Sequence, residues 1–185
     1  MFIQTEATPN PATLKFIPGR TVLGEGTAEF RAKTEANASP LATRLFDVDG
    51  VTGVFLGSDF ISVTKGPGEW QHVKPAILGA IMEHYMSGAT AVESDDAAND
   101  EEHGEYDPKD EDTVKTIKEL LDTRVRPAVA NDGGDIVFHG FKDGVVFLHM
   151  RGACAGCPSS TATLRHGIEN LLKHFCPDVQ EVRPV

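Results

Sequence analysis

Cys154 and Cys157 stand three residues apart in the run Met150-Arg151-Gly152-Ala153-Cys154-Ala155-Gly156-Cys157-Pro158-Ser159-Ser160. Two thiolates at that spacing are half of what a four-ligand metal site needs. The only other cysteine in the 185 residues is Cys176. One chain therefore cannot build a four-cysteine site around this pair, whereas two chains meeting at it can. That arithmetic points to a metal or iron–sulfur centre shared across a dimer. The setting of the pair adds to the signal. Pro158 suits the first position of a helix, which puts Cys157 at or beside the N-cap, where free N–H groups and the positive end of the helix dipole favour a thiolate. Gly152 and Gly156 let the backbone turn tightly and bring N–H donors close to sulfur. Such donors also suit the bridging sulfides of a cluster.

Four chemistries compete for a bare pair of this spacing. A redox dithiol of the thioredoxin type also opens a helix, but an aromatic residue commonly precedes it and a proline often lies between the cysteines; here Ala153 precedes and Ala155-Gly156 intervene. Half of a zinc site would need a second pair or histidines at ligand spacing, and none occurs. His149 and His166 are near in sequence, but strand and helix geometry does not aim both at one metal, and each reads as a partly exposed structural histidine. Two inert structural cysteines fit poorly with the glycines and the proline. A subunit-bridging iron–sulfur cluster uses all the observed features. Cys176, in His174-Phe175-Cys176-Pro177, reads as a small buried apolar residue, and Ser159 and Ser160 as first-turn helix residues.

Positioning this loop falls to a small α/β layer. Asp112 or Thr113 is expected to cap a helix with Val114, Ile117, Leu120, Leu121 and Val125 on one face, perturbed or restarted by Pro127. Asn131-Asp132-Gly133-Gly134-Asp135 is a turn, since two glycines permit positive φ. Ile136–Phe141 and Val145–Met150 alternate as strands joined by Lys142-Asp143-Gly144. The cysteine loop follows, then a helix from Pro158 burying Leu164, Ile168, Leu171, Leu172 and Phe175, and a last strand at Val179–Val182.

The first half carries no constellation of ligand spacing. Strands are expected at Phe2–Thr5 and Thr13–Ile17 around the turn Thr8-Pro9-Asn10-Pro11. Ser39-Pro40 opens a short helix through Phe46, and Val51–Leu56 and Phe60–Thr64 form a hairpin. A helix from Trp70 to Met86 places Trp70, Val73, Ile77, Ile81 and Tyr85 on one face, with Pro75 in or near its first turn. His72 and His84 are isolated and read as surface or core residues.

The net charge of −11 is concentrated in one place. Residues 1–90 hold 9 acidic and 7 basic side chains, and residues 113–185 hold 8 and 9. Residues 91–112 hold 11 acidic side chains against Lys109 alone. The stretch 89–112, with Val92 its only aliphatic residue beyond alanine, reads as a disordered, solvated linker. The fold class is therefore α/β (α+β): two small α/β domains, 1–88 and 113–185, joined by an acidic flexible linker. Neither domain is basic enough to neutralise many phosphates, so nucleic acid is not an expected partner. The longest apolar runs are a few residues, so no membrane span is expected. The N-terminus has neither the basic and apolar regions of a secretory signal nor the Arg- and Ser-rich character of a mitochondrial presequence, and an odd cysteine count fits a reducing compartment. The reading is a soluble intracellular protein.

Gly152-Ala153-Cys154-Ala155-Gly156-Cys157-Pro158-Ser159-Ser160, preceded by Asn131-Asp132-Gly133-Gly134-Asp135, resembles the C-terminal domain of the NifU/Nfu iron–sulfur proteins. Phe2-Ile3-Gln4-Thr5, Thr8-Pro9-Asn10-Pro11 and Leu14-Lys15-Phe16-Ile17-Pro18-Gly19 resemble the N-terminal domain of the Nfu subgroup, as do Val54-Phe55-Leu56-Gly57, Asp59-Phe60-Ile61-Ser62-Val63-Thr64-Lys65 and Trp70. The resemblance covers both domains and leaves out the linker. It implies a non-catalytic scaffold or carrier of a [4Fe–4S] cluster shared between two chains. Cys154 and Cys157 are then the ligands in each chain, and the N-terminal domain is associated with partner contacts. The implied partners are a second copy of the chain in the loaded state, upstream cluster assembly proteins and recipient apoproteins. A bacterial cytoplasm is the expected compartment, although a mature mitochondrial form would look the same. The alternative function from a different class is a thiol–disulfide oxidoreductase using the Cys154–Cys157 dithiol.

Overall fold

The structure is a computed structural model that describes residues 2–24, 26–91, 105–153 and 158–185, with the side chains of 158–161 outside the description. The chain divides into two compact units, Met1–Asp100 and Glu101–Val185. Each pairs one mixed-length sheet with helices, so the fold is mixed α/β in both.

In the first unit, β1 (Gln4–Ala7), β2 (Thr13–Ile17), β3 (Ala28–Phe30), β4 (Val51–Leu56) and β5 (Ile61–Lys65) form an antiparallel sheet in the order β1-β2-β5-β4-β3. β1 starts two residues later than the sequence pattern suggests, because its pairing runs Gln4↔Ile17 to Ala7↔Leu14. Phe2 is left out of the sheet, 84% exposed. β3 has no alternating signature in three residues and was not anticipated. α1 (Pro40–Phe46) begins as the Ser-Pro pair requires: the Ser39 hydroxyl accepts from the Ala42 N–H at 3.0 Å and donates to the Ala91 carbonyl. α2 (Trp70–Ser87) ends at Gly88 with φ 72°, a left-handed cap. Pro75 is the sixth residue of α2, not in its first turn. It supplies no N–H to the carbonyl one turn back, and the helix continues regardless. Ile77 and Ile81 are fully buried against Phe16, Leu41, Leu45, Leu56 and Ile61. His84, one turn beyond Ile81, is also buried.

The second unit reclaims part of the acidic stretch. Glu105–Tyr106 form a short strand, β6, and Pro108–Asp110 a single 3₁₀ turn. α3 then runs Glu111–Leu120, two to three residues earlier than a cap at Asp112 or Thr113 would give. Residues 105–112 thus have places in this unit, while the expectation of a disordered segment over 92–104 lies outside the described residues. The helix widens to a π-turn at Leu121–Val125 and restarts as α4 (Arg126–Asn131) with Pro127 at its second position. The missing proline N–H breaks the regular ladder there, as its position demands. β7 (Gly134–Lys142) and β8 (Val145–Gly152) are antiparallel, and β9 (Glu181–Pro184) pairs parallel to β8. Their turn residues Asp143 and Gly144 both have positive φ, 52° and 80°, the conformation that lets a two-residue turn match strand twist. The sheet order is β6-β7-β8-β9.

α5 (Pro158–Phe175) packs Ile168 and Leu172 into a core with Ile117, Leu121, Ile136, Phe138, Val146 and Leu148. Phe175 was expected inside but is 45% exposed. It is the last residue of α5, and its ring meets the Arg124 guanidinium at 5.0 Å. The last strand is shifted two residues towards the C-terminus relative to the sequence expectation, because Val179 is buried in the approach loop while Val182 occupies the strand.

Candidate metal centre

The cysteine loop joins the end of β8 to the start of α5. Cys154 and Cys157, with Ala155 and Gly156 between them, lie outside the described residues; the structure describes what holds each end of the loop.

The strand side is anchored by backbone geometry. Gly152 turns the chain with φ 64°, a conformation that costs other residues a Cβ clash. Ala153 is 1% exposed, and its N–H donates to the Gly133 carbonyl at 3.2 Å. Gly133 has φ 80° and pairs of neighbours in register place Gly134 opposite Gly152 and Asp135 opposite Arg151. The turn 131–135 is therefore the neighbour strand's half of the loop's base. Glycine at 133 and 134 lets both chains come close while buried.

An ion pair locks that base. Asp135 is 4% exposed, and the Arg126 guanidinium donates to its two carboxylate oxygens at 3.0 Å from both Nε and Nη2. Such a two-pronged geometry is the strong form of the interaction. Arg126 also reaches the exposed Asp122 at 3.1 Å, one helical turn back across the π-turn. The hydrogen bonds to Asp135 raise the guanidinium's proton affinity well above its ordinary value, burial opposing and Asp122 assisting. The pair fastens the start of α4 to the strand end that carries Gly133. Sequence reading placed Asp135 in the turn 131–135 but gave it no partner and did not single out Arg126. The Asp122–Arg126 spacing of i, i+4 was legible, but the Arg126–Asp135 contact needs the helix to return over the strand.

On the helix side, α5 starts at Pro158 as expected, so its free N–H groups and positive dipole end lie beside the motif. Cys176 sits at the other end. An α-helix of 18 residues is about 27 Å long, so Cys176 and Pro158 lie at opposite ends of the unit. Cys176 is 6% exposed, and burial first, then the Asp178 charge, pushes its thiol above the ordinary range. It is a packed, unreactive thiol. His149 lies between the core residues Leu148 and Met150 on β8 and so faces away from the helices. His166 is exposed on α5, on the sheet's other side. The two do not converge, and among the described residues no set of three His, Cys, Asp or Glu side chains is placed to hold a metal ion. The donor set left for a metal is the thiol pair, at a helix start, with a rigid backbone base: soft anionic ligands suited to iron–sulfur or zinc chemistry.

A model of the scaffold protein Nfu/NifU N-terminal domain matches residues 3–88, and a model of the NifU-like domain matches residues 117–183. The mitochondrial NFU1 iron–sulfur cluster scaffold homologs of Drosophila sechellia and Drosophila virilis are 50% and 48% identical to the chain over 187 aligned positions. These matches cover 100% of this chain but 65% and 62% of the two relatives, so the chain spans slightly less than two thirds of their length. Among solved structures, the NifU-like protein from Saccharomyces cerevisiae is 25% identical, with a TM-score of 0.45, covering 50% of this chain and 84% of that one.

Proposed function

Because the chain belongs to the Nfu/NifU family of iron–sulfur cluster scaffold proteins, we propose that it holds a [4Fe–4S] cluster between two copies through Cys154 and Cys157 and passes it to recipient apoproteins. The observation that carries this reading is the distribution of sulfur. The pair belongs to the strand-to-helix junction, and the third thiol, Cys176, is buried at the far end of α5. One chain therefore offers two thiolates at this place, and a cubane takes four. The second copy supplies the other pair.

The residues around the loop serve binding. Gly152 and the Gly133–Ala153 hydrogen bond fix where the strand releases the chain, and the N-terminus of α5 favours thiolate over thiol. The cluster is cargo: thiolates of a recipient replace Cys154 and Cys157 on iron one by one. The role is that of a carrier with no catalytic step of its own, loaded by upstream assembly proteins. The expectation of a bacterial cytoplasmic protein gains no support from the relatives, whose names place them in mitochondria. A mitochondrial form is the reading their names favour.

Anaerobic reconstitution with iron and sulfide tests the proposal. The expected product is coloured, contains one cubane per two chains and has the native mass of a dimer, and Cys157→Ser forms neither the colour nor the cluster-dependent dimer. A complete cubane on a monomer without added thiols, or normal loading of Cys157→Ser, refutes it. Insulin reduction by the apo monomer without iron binding would instead establish the dithiol oxidoreductase.

A further inference from the structure

At the end of the second unit opposite the cysteine loop there is a pocket of about 600 Å³. Its lining residue on β8 is Phe147, five residues from Gly152, or about 17 Å at ~3.4 Å per residue. Three aromatic residues contribute to its lining: Tyr106, 38% exposed, the partly buried Phe147 and the buried Phe141. Five carboxylates line it as well, from Glu105, Asp107, Asp110, Asp143 and Asp178, against the ammonium groups of Lys109 and Lys142. Asp107 is engaged by Lys109 at 3.7 Å and Asp178 by the Thr113 hydroxyl at 3.3 Å. The carboxylates of Glu105, Asp110 and Asp143 have no hydrogen bond or ion pair among the described residues. One wall of the pocket is β6, the end strand of the sheet, which pairs with β7 alone among the described residues. Among the described residues, nothing pairs with its outer backbone edge beside this acidic, aromatic cavity.

We propose that this pocket is a docking site for an extended segment of a partner protein that carries a lysine or arginine. The segment adds to the outer edge of β6 by backbone hydrogen bonds, the mode in which a sheet edge supplies affinity and an adjoining pocket supplies specificity. Its basic side chain enters the cavity, where the aromatic faces accept a cation and the unengaged carboxylates neutralise it. The net charge of the lining selects a cationic side chain and rejects an acidic one. Docking at this end leaves the Gly152 end of β8 uncovered. This inference does not depend on the cluster assignment.

β6 reaches the sheet by a close approach that makes the proposal testable. A Cβ added at Gly140 would lie 2.9 Å from the Glu105 carbonyl oxygen, a backbone atom that must move. Gly140→Val therefore displaces β6 and dismantles the wall. Asp143→Asn removes a charge while keeping a residue that tolerates the positive φ of 52°. The probes are two capped pentapeptides, Val-Thr-Arg-Thr-Val and the same peptide with glutamate in place of arginine, titrated into the ¹⁵N-labelled full chain. The arginine peptide is expected to shift the amides of Glu105, Tyr106, Phe141 and Asp143 and to bind at least tenfold more tightly than the glutamate peptide. Binding should weaken with added salt. Asp110→Asn with Asp143→Asn should weaken it about tenfold, the loss expected for charge-assisted hydrogen bonds, and Gly140→Val should abolish it. Should Gly140→Val disturb the whole unit, the Asp110/Asp143 variant alone decides. Equal binding of the two peptides, absence of shifts at millimolar peptide, or undiminished binding by the charge variant overturns the proposal. Cluster loading of these variants stays normal if the two ends are independent, so a failure here is distinguishable from a failure of the cluster assignment.

Discussion

Removing Arg126 from the base of the cysteine loop should cost far more than removing a surface arginine. The Asp135 carboxylate is 4% exposed and takes two guanidinium hydrogen bonds at 3.0 Å. Arg126→Gln leaves that carboxylate buried without its cation. Breaking a buried pair from one side costs ~3–5 kcal/mol. Because 30% of the Arg126 side chain is exposed, water screens the pair in part and the cost falls to the bottom of that range or just below it, about 2–3 kcal/mol. At ~4–8 °C per kcal/mol for a domain of this size, the second unit's melting temperature should fall by roughly 10–20 °C. Asp135→Asn should fall by a similar amount, and the double variant by clearly less than the sum, since the two single changes remove the same contact. Asp122→Asn, which touches only the exposed side of Arg126, should cost about 0.5 kcal/mol or less. The assay is thermal unfolding of the full chain followed by amide signals from each unit, with the first unit as internal control. Amide exchange at Ala153 supplies a second readout. The Gly133 carbonyl that accepts its N–H lies two residues before Asp135, so loosening the clamp should speed exchange there. An Arg126→Gln variant no less stable than Asp122→Asn, or with unchanged exchange at Ala153, would show that the pair does not hold the loop base.

Two further outcomes follow from the first unit. Ser39→Ala removes both the cap of α1 and the hydroxyl that meets the Ala91 carbonyl, and it should cost about 1–2 kcal/mol in chemical denaturation; a cost near zero would mean water replaces both contacts. His84 is buried, its Nδ1 finds no partner among the described residues, and burial first and the Arg44 charge second push its pKa below the ordinary value. The unfolded chain then binds the proton more readily than the folded one, so stability is constant above the unfolded value near 6.5 and falls as pH drops from there towards the folded pKa. His84→Leu should flatten that slope between pH 7.5 and 5.5; an unchanged slope would assign it to other groups.

Local chemistry made much of this protein legible. The Ser39-Pro40 helix start, the Asp143-Gly144 turn, the alternation of Val51–Leu56 and Val145–Met150, and the helical period of Ile77 and Ile81 each depend on near neighbours and stand where the sequence places them. Pro158 after the cysteine pair marked a strand-to-helix junction, and α5 starts there. What the pattern misjudged lay at ends. Phe175 fits the apolar face of its helix but is that helix's last residue and lies exposed. The acidic stretch reads as solvated by composition, yet Glu105–Tyr106 find an unpaired strand edge at Gly140, where the missing side chain allows the backbone to approach.

The residues themselves determined that there are two units, which faces are apolar, and that the chain carries one pair of cysteines three residues apart. Tertiary structure decided which distant groups meet. Arg126 finds Asp135 only because a widened turn brings α4 back over β7, Cys176 is kept from the loop by the rigid length of α5, and His149 and His166 are parted by the sheet. Periodicity reports the face a side chain takes on its own element, whereas contacts between elements depend on how the elements pack, a property of the whole chain.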